Sequence, residues 1–466
     1  MKQADIGVYG LGTMGRALAL NLAEHGFATA VANREHDWIA PFVEGASHLG
    51  ENLLPAYDLE TFVTRLAKPR VVLFMIPSGA PLDAMLAQVL PLLEPGDMVV
   101  DAGNADFNDT MRRTREVEAR GLSYVGMGVS GGARGARHGP SMMVGGTPDS
   151  WVRLQPILTA IAARFEGDPC VDHLGPDGAG HFVKTVHNGI EYADMQMIAE
   201  IYGLLRDGGG WSAGDIAALF RDWSSGALAS FLVDVTAIAL EEPDPETGQP
   251  MVDMIQDKAG QKGTGRWTVI EALKLGQSAS TIEGAVAARA WSANKSLRET
   301  AATTLPGSDL VGGLPGSQML EQALLAGRIL SHAQGFGILQ AASDQHGWSL
   351  NLARVAEIWR AGCIIRSTLL NEIGAALNED MPQGHLLLAP RMVEALEGSV
   401  PALRHVVASA VQTGLPVPSL AGALAWYDSV RQARSSANLI QAQRDVFGAH
   451  GFERIDRTGR FNGEWG

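Results

Sequence analysis

The sequence predicts an α/β Rossmann-like, doubly wound domain followed by a large all-α domain and a C-terminal tail. Apolar strands alternate with helical segments through the first part of the chain, which is typical of a largely parallel sheet. Long helical patterns replace the strands after about residue 180. The last stretch is polar and rich in arginine and glycine, so we expect a tail that packs on another surface. We place the domains at 1–179, 180–433 and 434–466.

The composition indicates folded cores and argues against several kinds of partner. The chain has 466 residues, too many for one ordinary domain, and 46% of them are hydrophobic. Its formal net charge of −15 argues against a nucleic-acid partner. The densest apolar run, 71–76, is too short to cross a membrane, and no basic leader precedes the first strand. Cys170 and Cys363 form no disulfide or metal pattern, so we expect no metal and a reduced, cytoplasmic setting.

A glycine turn near the amino terminus predicts a dinucleotide site. Residues 6–35 match a strand, a tight turn, a helix and a second strand, and the turn fits the G-x-G-x-x-G pattern. In that pattern the first glycine permits the turn, the second lets the backbone approach a pyrophosphate, and the third allows close packing of strand and helix. The predicted cofactor contacts in this turn are Gly10, Leu11, Gly12, Thr13, Met14 and Gly15.

The end of the second strand bears on the choice of coenzyme. An NAD site usually places a carboxylate here, which accepts hydrogen bonds from the ribose hydroxyls. This chain has the neutral Asn33 followed by Arg34, whose guanidinium suits a 2′-phosphate, and we therefore favour NADP. Glu35 follows Arg34 and lies about 20 residues after the glycine turn, where the acidic residue of an NAD site is expected. NAD therefore stays possible.

Loops that follow three later strands are predicted to line the same site. The carboxyl ends of parallel strands gather at one edge of a sheet, and ligands bind there. Each loop alone is an ordinary turn, but together we interpret them as the walls of a site. Their residues are Ile76, Pro77 and Ser78 after one strand, Asn104 after the next, and Ser130, Gly131 and Gly132 after the last.

The segment 184–196 should form a helix with an unusual polar face. Five polar residues fall at positions i, i+3, i+4, i+7 and i+8, which is one stripe of an α-helix. A second stripe of the same helix is apolar, as expected for packing on a core. The polar stripe therefore presents an acid, a base and hydrogen-bonding groups together: Lys184, His187, Asn188, Glu191 and Tyr192.

A glycine-rich loop at 255–267 has the composition of an anion site. Lys262 and Thr264 lie between glycines, which let the backbone approach a ligand. The lysine ammonium group and the threonine hydroxyl are donors that suit phosphate. The alternative interpretation is a flexible surface loop.

Six stretches of the sequence together resemble the 6-phosphogluconate dehydrogenase family, the decarboxylating enzymes of the pentose phosphate pathway. They run from residue 6 to about 450, so the resemblance covers nearly the whole chain. The most specific are GHFVKTVHNGIEY and AGQKGTGRW. The full set is GLGTMG, VGMGVSGG with GARHGPSMMVGG, GAGHFVKTVHNGIEYADMQ, DKAGQKGTGRW, WRAGCIIR and LIQAQRDVFGAH.

The resemblance implies oxidative decarboxylation of 6-phosphogluconate to ribulose 5-phosphate and CO₂ with reduction of NADP. Lys184 would be the base that takes the proton from the C3 hydroxyl, and Glu191 the acid that protonates the enediol. Arg444 and His450 would reach the site from the partner subunit of a homodimer. The implied substrate contacts are Asn104, Ser130, Gly131, Gly132, His187, Asn188, Tyr192, Lys262, Thr264, Arg289, Arg444 and His450.

Four residues depart from the pattern of the family, and two alternatives remain. Gly12 stands where alanine is usual, Glu35 replaces a small hydroxyl residue beside Arg34, Ala105 replaces a serine, and Ala133 stands where an acid is common. One alternative is an NAD-dependent β-hydroxyacid dehydrogenase that acts on a related sugar acid. Such an enzyme needs no phosphate-binding cations if its substrate is unphosphorylated. The other is a cofactor-binding regulator, which would have lost the acid or the base of the polar stripe.

Overall fold

The computed structural model describes residues 2–261, 263–307 and 313–465, and it confirms the predicted fold class. Eight strands of the first part form one sheet, and two short antiparallel pairs lie outside it. The strands are β1 (Ile6–Tyr9), β2 (Thr29–Ala32), β3 (Leu53–Pro55), β4 (Val71–Phe74), β5 (Met98–Asp101), β6 (Ser123–Ser130), β7 (Ser141–Val144), β8 (Arg164–Phe165), β9 (Asp168–Pro169), β10 (Val171–His173), β11 (Phe452–Glu453) and β12 (Arg460–Phe461).

The large sheet has the strand order β10-β7-β6-β5-β4-β1-β2-β3. Its strands pair in parallel except β6 and β7, which are antiparallel. The central strands are apolar runs that are buried along their whole length, as expected for a sheet covered on both faces. The chain order reverses between β1 and β4, and this switch point is where an open α/β sheet forms its ligand crevice.

Seven helices cover the sheet. Short polar side chains begin several of them: Asp58, Asp106 and Thr147 each accept a hydrogen bond from a backbone N–H of the first turn. The helices Ala80–Val89 and Phe107–Glu118 follow the fourth and fifth strands along the chain. The seven are α1 (Thr13–Glu24), α2 (Ile39–Gly45), α3 (Leu59–Thr64), α4 (Ala80–Val89), α5 (Phe107–Glu118), α6 (Gly132–His138) and α7 (Pro148–Ile161).

The second part of the chain is helical. Its buried apolar side chains form one large cluster, which includes the apolar stripe of the helix α8. Among the described residues, no helix combines the length and apolar character that crossing a membrane requires. The helices are α8 (Ala179–Gly203), α9 (Ala213–Trp223), α10 (Phe231–Glu241), α11 (Met251–Met254), α12 (Thr264–Lys274), α13 (Ser280–Ala293), α14 (Lys295–Thr304), α15 (Ser317–His346), α16 (Leu352–Ile358), α17 (Leu369–Leu377), α18 (Pro390–Thr413) and α19 (Pro418–Val430).

Helix α8 connects the two parts. It starts against β6 and β7 of the sheet and continues between α12, α13 and α15. Gly180 allows this approach, because a Cβ there would lie 2.6 Å from the Gly126 carbonyl oxygen of β6. The polar face predicted for 184–196 is therefore held at the junction of the sheet and the helices.

The tail contains regular structure of its own. Helix α20 (Ala437–Gly448) is followed by a turn and by the hairpin of β11 and β12, in which Phe452 pairs with Phe461. The polar, arginine-rich composition had indicated only a tail that packs on another surface. The domain limits at residues 179 and 433 stay a prediction.

Candidate active site

A cleft of about 710 Å³ opens at the switch point of the sheet. The predicted cofactor contacts Gly10, Leu11, Asn33, Arg34 and Glu35 lie outside its lining. Met75, Gly79, Gly103, Asp106, Asp109 and Trp267 line it without having been predicted. The predicted contacts that line the cleft are Gly12, Thr13, Met14, Gly15, Ile76, Pro77, Ser78 and Asn104.

The glycine turn after β1 leaves room for a phosphate. Gly10 has φ +109°, which favours glycine, and a Cβ there would lie 2.5 Å from the Met75 carbonyl oxygen. A Cβ on Gly15 would lie 1.7 Å from the Gly10 carbonyl oxygen. Gly12 has no atom within 4 Å of an added Cβ, and no side chain caps the start of α1. The open backbone and the uncapped N–H groups of α1 fit the pyrophosphate of a dinucleotide.

The residues at the end of β2 form a connected hydrogen-bond network. Asn33 accepts a hydrogen bond on Oδ1 from the Leu11 backbone N–H (2.8 Å) and donates from Nδ2 to Glu35 Oε2 (3.1 Å). Arg34 donates from Nε to Glu35 Oε1 (2.7 Å) and forms an ion pair with it. The hydrogen bond from Arg34 lowers the pKa of Glu35 below its usual value. The guanidinium predicted to hold a 2′-phosphate is thus paired with a carboxylate.

Four residues of the polar stripe lie together on α8. Lys184 Nζ is 3.3 Å from His187 Nδ1, which is also 3.0 Å from Asn188 Oδ1. Glu191 Oε2 lies 3.8 Å from the same ring nitrogen. Lys184, His187 and Asn188 are buried, whereas the Glu191 side chain is 22% exposed. The base, the imidazole and the acid therefore form one contiguous row.

Burial shifts the pKa values of this row in opposite directions. It lowers the pKa of Lys184 below its ordinary value, although the Glu191 carboxylate opposes the shift. It raises the pKa of Glu191, although Lys184 and Arg289 oppose that shift. Burial, with the neighbouring lysine, also holds the pKa of His187 well below its ordinary value. Each shift favours the uncharged form of its group more than water does, on one helix face.

The loop after β6 and the segment 360–366 cover the other side of His187. Ser130 Oγ lies 3.1 Å from His187 Nε2, and Cys363 Sγ lies 2.8 Å from the same atom. Gly131 has φ +105°, and a Cβ there would lie 2.5 Å from the Gly362 carbonyl oxygen. Burial raises the pKa of Cys363 to about 11, so its thiol stays protonated near neutral pH. Cys363 was not predicted as a site residue, because a lone cysteine carries no spacing signal.

Helices α12 and α13 bring further predicted substrate contacts to Tyr192. The guanidinium carbon of Arg289 lies 3.4 Å from the centroid of the Tyr192 ring. A Cβ on Gly265 would lie 2.5 Å from that ring, so α12 packs directly on it. Thr264 is buried at the start of α12, directly after a glycine with φ +96°. Lys262 lies outside the described residues.

Arg444 and His450 lie in the tail, at the end of α20 and in the turn after it. Arg444 donates a hydrogen bond to Gln441 Oε1 (3.2 Å), within the same helix. Among the described residues, no hydrogen bond or ion pair joins Arg444 or His450 to the polar face of the same chain.

Comparison with known proteins identifies the family. The chain matches the model of the NAD-binding domain of 6-phosphogluconate dehydrogenase over residues 5–175 and that of its C-terminal domain over 180–465. Two Bacillus subtilis relatives, named NADP(+)-dependent and NAD(+)-dependent decarboxylating 6-phosphogluconate dehydrogenases, are 44% and 43% identical. The match to the first relative covers 100% of this chain and 100% of that relative. The match to the second covers 99% of this chain and 99% of that relative. The solved structure of Plasmodium falciparum 6-phosphogluconate dehydrogenase superposes with a TM-score of 0.94 at 35% identity, covering 99% of this chain and 100% of that one. As the resemblance had predicted, the chain belongs to the 6-phosphogluconate dehydrogenase family.

Proposed function

We propose that the protein catalyses the oxidative decarboxylation of 6-phospho-D-gluconate to ribulose 5-phosphate and CO₂, with reduction of NADP. The observation that carries this proposal is the pairing of Lys184 and Glu191 on one buried helix face, with pKa shifts in opposite directions. The reaction needs a base first and an acid later, and this pair supplies both. The Plasmodium falciparum relative is described in complexes with NADP⁺ and with 6-phosphogluconate, which supports the same substrate and cofactor here.

The proposed proton transfers match the directions of these pKa shifts. NADP bound in the cleft would supply the hydride acceptor for C3 of the substrate. Lys184 takes the proton of the C3 hydroxyl, and the resulting ammonium then donates a hydrogen bond to the new C3 carbonyl. The bond between C1 and C2 breaks, CO₂ leaves, and the electron pair moves toward that carbonyl to give an enediol. Glu191 protonates the carbon that becomes C1 of ribulose 5-phosphate.

The remaining residues of the site bind and orient the substrate. His187, Asn188 and Ser130 supply neutral hydrogen-bonding groups beside the base, so they suit the hydroxyls of the sugar acid. The Arg289 guanidinium lies over the Tyr192 ring, and Thr264 is buried at the start of α12. Both suit the phosphate, as does Lys262, which is two positions before Thr264 in the sequence. An unphosphorylated β-hydroxyacid would leave these phosphate-binding groups without a role.

The proposal includes a homodimer in which each tail completes the site of the other subunit. The local contacts of Arg444 in its own chain support this arrangement, because they leave its charge available to a second subunit.

The two free, buried cysteines, Cys170 and Cys363, support a reducing cytoplasmic setting.

The test compares wild-type protein with Lys184→Met and with a matched lysine variant. We expect wild-type protein to form NADPH and CO₂ in equal amounts from 6-phosphogluconate. Lys184→Met should keep NADP binding, measured by calorimetry, and lose turnover. Lys68→Met is the control, since Lys68 is an exposed lysine paired with Glu94 away from the cleft. Near-normal turnover of Lys184→Met would contradict its role as the base, and absence of wild-type turnover would contradict the proposed reaction.

A further inference from the structure

Asp445 has an unusual environment for a residue of the tail. It occupies the position after Arg444 in α20, and its exposed fraction is 3%. Among the described residues 434–465, it is the one side chain that is buried. An acidic side chain is rarely enclosed without several hydrogen-bond donors around it.

The Asp445 carboxylate accepts four hydrogen bonds. Oδ1 accepts from the Gly451 backbone N–H (2.7 Å) and from Asn462 Nδ2 (2.6 Å). Oδ2 accepts from the Gly463 backbone N–H (2.8 Å) and from Trp465 Nε1 (2.7 Å). Each oxygen therefore accepts two hydrogen bonds, so all the acceptor sites of the carboxylate are occupied. These donors hold the pKa of Asp445 at about 2, so it stays charged near neutral pH.

The four donors come from two separate segments. Gly451 belongs to the turn directly after α20, whereas Asn462, Gly463 and Trp465 belong to the chain end. The indole ring of Trp465 also lies 6.3 Å from the ring of Phe452 in an edge-to-face arrangement. Asp445 thus joins the helix, the turn and the terminus into one unit, which we call the tail clasp (Asp445, Gly451, Asn462, Gly463 and Trp465).

The tail clasp determines where His450 stands relative to Arg444. His450 lies between Ala449, which has φ +47°, and Gly451, which is bound to Asp445. Its backbone oxygen accepts a hydrogen bond from Arg460 of the hairpin. Arg444 is one residue before Asp445 on the helix. The turn that carries His450 and the helix that carries Arg444 are therefore connected through one carboxylate.

We propose that Asp445 and Trp465 are positioning residues for the reaction, which hold Arg444 and His450 in the geometry that the site of the partner subunit requires. This inference rests on the proposed function and on the shared dimeric site. The side chains of Asp445 and Trp465 act through the turn and the helix and need not touch the substrate. The indole N–H of Trp465 thus supports substrate binding in the other subunit indirectly, through the positions of Arg444 and His450.

The first test uses Asp445→Asn and Trp465→Phe. The asparagine amide places N–H groups against two of the donors, and phenylalanine removes the indole N–H while keeping a ring. We expect each variant to raise the KM for 6-phosphogluconate by about tenfold or more, with unchanged NADP affinity and an intact dimer in sedimentation. Glu464→Gln is the control, because it changes an exposed neighbour. An unchanged KM in Trp465→Phe would overturn the proposal, even if Asp445→Asn failed to fold.

The second test asks whether the tail clasp acts across the dimer. Heterodimers that combine one Lys184→Met subunit with one Asp445→Asn subunit can be isolated with two affinity tags. One of their two sites is intact: the Asp445→Asn subunit supplies the base, and the Lys184→Met subunit supplies an unaltered tail. We expect them to regain about half of the wild-type activity at a substrate concentration where each homodimer variant is nearly inactive. Heterodimers that stay at the level of the Asp445→Asn homodimer would overturn action across the dimer. An active Lys184→Met homodimer would instead count against the proposed function.

Discussion

Gly128 on β6 offers a direct way to move the proposed base without replacing it. An added Cβ at Gly128 would lie 2.4 Å from Lys184 Cβ and 2.8 Å from Lys184 Cγ. Ordinary van der Waals contacts begin near 3.4 Å, so Gly128→Ala requires a displacement of about 1 Å. The backbone fixes the position of Lys184 Cβ, so this contact can be relieved only if α8 moves away from β6. Gly180 packs on the backbone of β6 one turn earlier, so the movement also disturbs that contact. Lys184 moves with the helix.

The expected magnitude follows from that displacement. A catalytic group misplaced by about 1 Å typically costs about 100-fold in rate. Overpacking of this kind also destabilises a protein by about 1–3 kcal/mol. We expect Gly128→Ala to lower kcat by about 100-fold and to leave the Kd for NADP unchanged, since Gly128 does not line the cleft.

The assay measures kcat by NADPH absorbance and the Kd for NADP by calorimetry. Gly398→Ala is the matched control, because an added Cβ at this exposed position of α18 meets no atom within 4 Å. Alanine in place of a helical glycine should leave kcat unchanged and stabilise the protein by up to about 1 kcal/mol. Wild-type kcat in a folded Gly128→Ala variant would refute the claim that β6 positions Lys184.

Three further predictions concern the coenzyme, pH and the thiols. Glu35→Ser frees Arg34 from its carboxylate partner. The ratio of kcat/KM with NADP to kcat/KM with NAD should therefore rise roughly tenfold. A constant or lower ratio would mean that Glu35 does not oppose a 2′-phosphate. Burial raises the pKa of Glu200 from 4.5 to about 7, so the native state retains a proton that the unfolded chain releases. Between pH 4.5 and pH 7 the free energy of unfolding, from urea titrations, should change by about 3 kcal/mol less favourably in wild-type protein than in Glu200→Gln. Cys170 and Cys363 are buried with raised pKa values, so Ellman's reagent should find no reactive thiol in native protein at pH 7 and two per unfolded chain.

The fold class could be predicted because its signals are local. The strands are short apolar runs, the glycine turn follows the first of them, and the helices repeat apolar residues at helical spacing. The polar face of α8 was predictable for the same reason, since Lys184, His187 and Glu191 lie within two turns of one helix. A periodicity rule places such residues on one face whatever the rest of the chain does.

The features that could not be predicted join distant parts of the chain. Cys363 lies beside His187 although 176 positions separate them, and Trp267 of α12 lines the cleft formed by the loops of the sheet. The sequence placed Glu35 next to Arg34 but did not reveal that Asn33 orients its carboxylate from the other side. These contacts depend on how the two parts of the fold pack, and no pattern within one element reports that packing.

The proposed base and a proposed substrate contact on the same helix are positioned by different parts of the molecule. Lys184 lies on the first half of α8, where β6 and the loop after it surround the helix. Tyr192 lies two turns later, where α12 and the Arg289 guanidinium of α13 pack on its ring. Helix α8 therefore carries the proposed base where it packs on β6, and the proposed substrate contact Tyr192 where α12 and α13 pack on it. In the proposed binding mode the substrate spans these two positions, so a substitution that bends α8 between them should impair substrates of this length more than shorter ones.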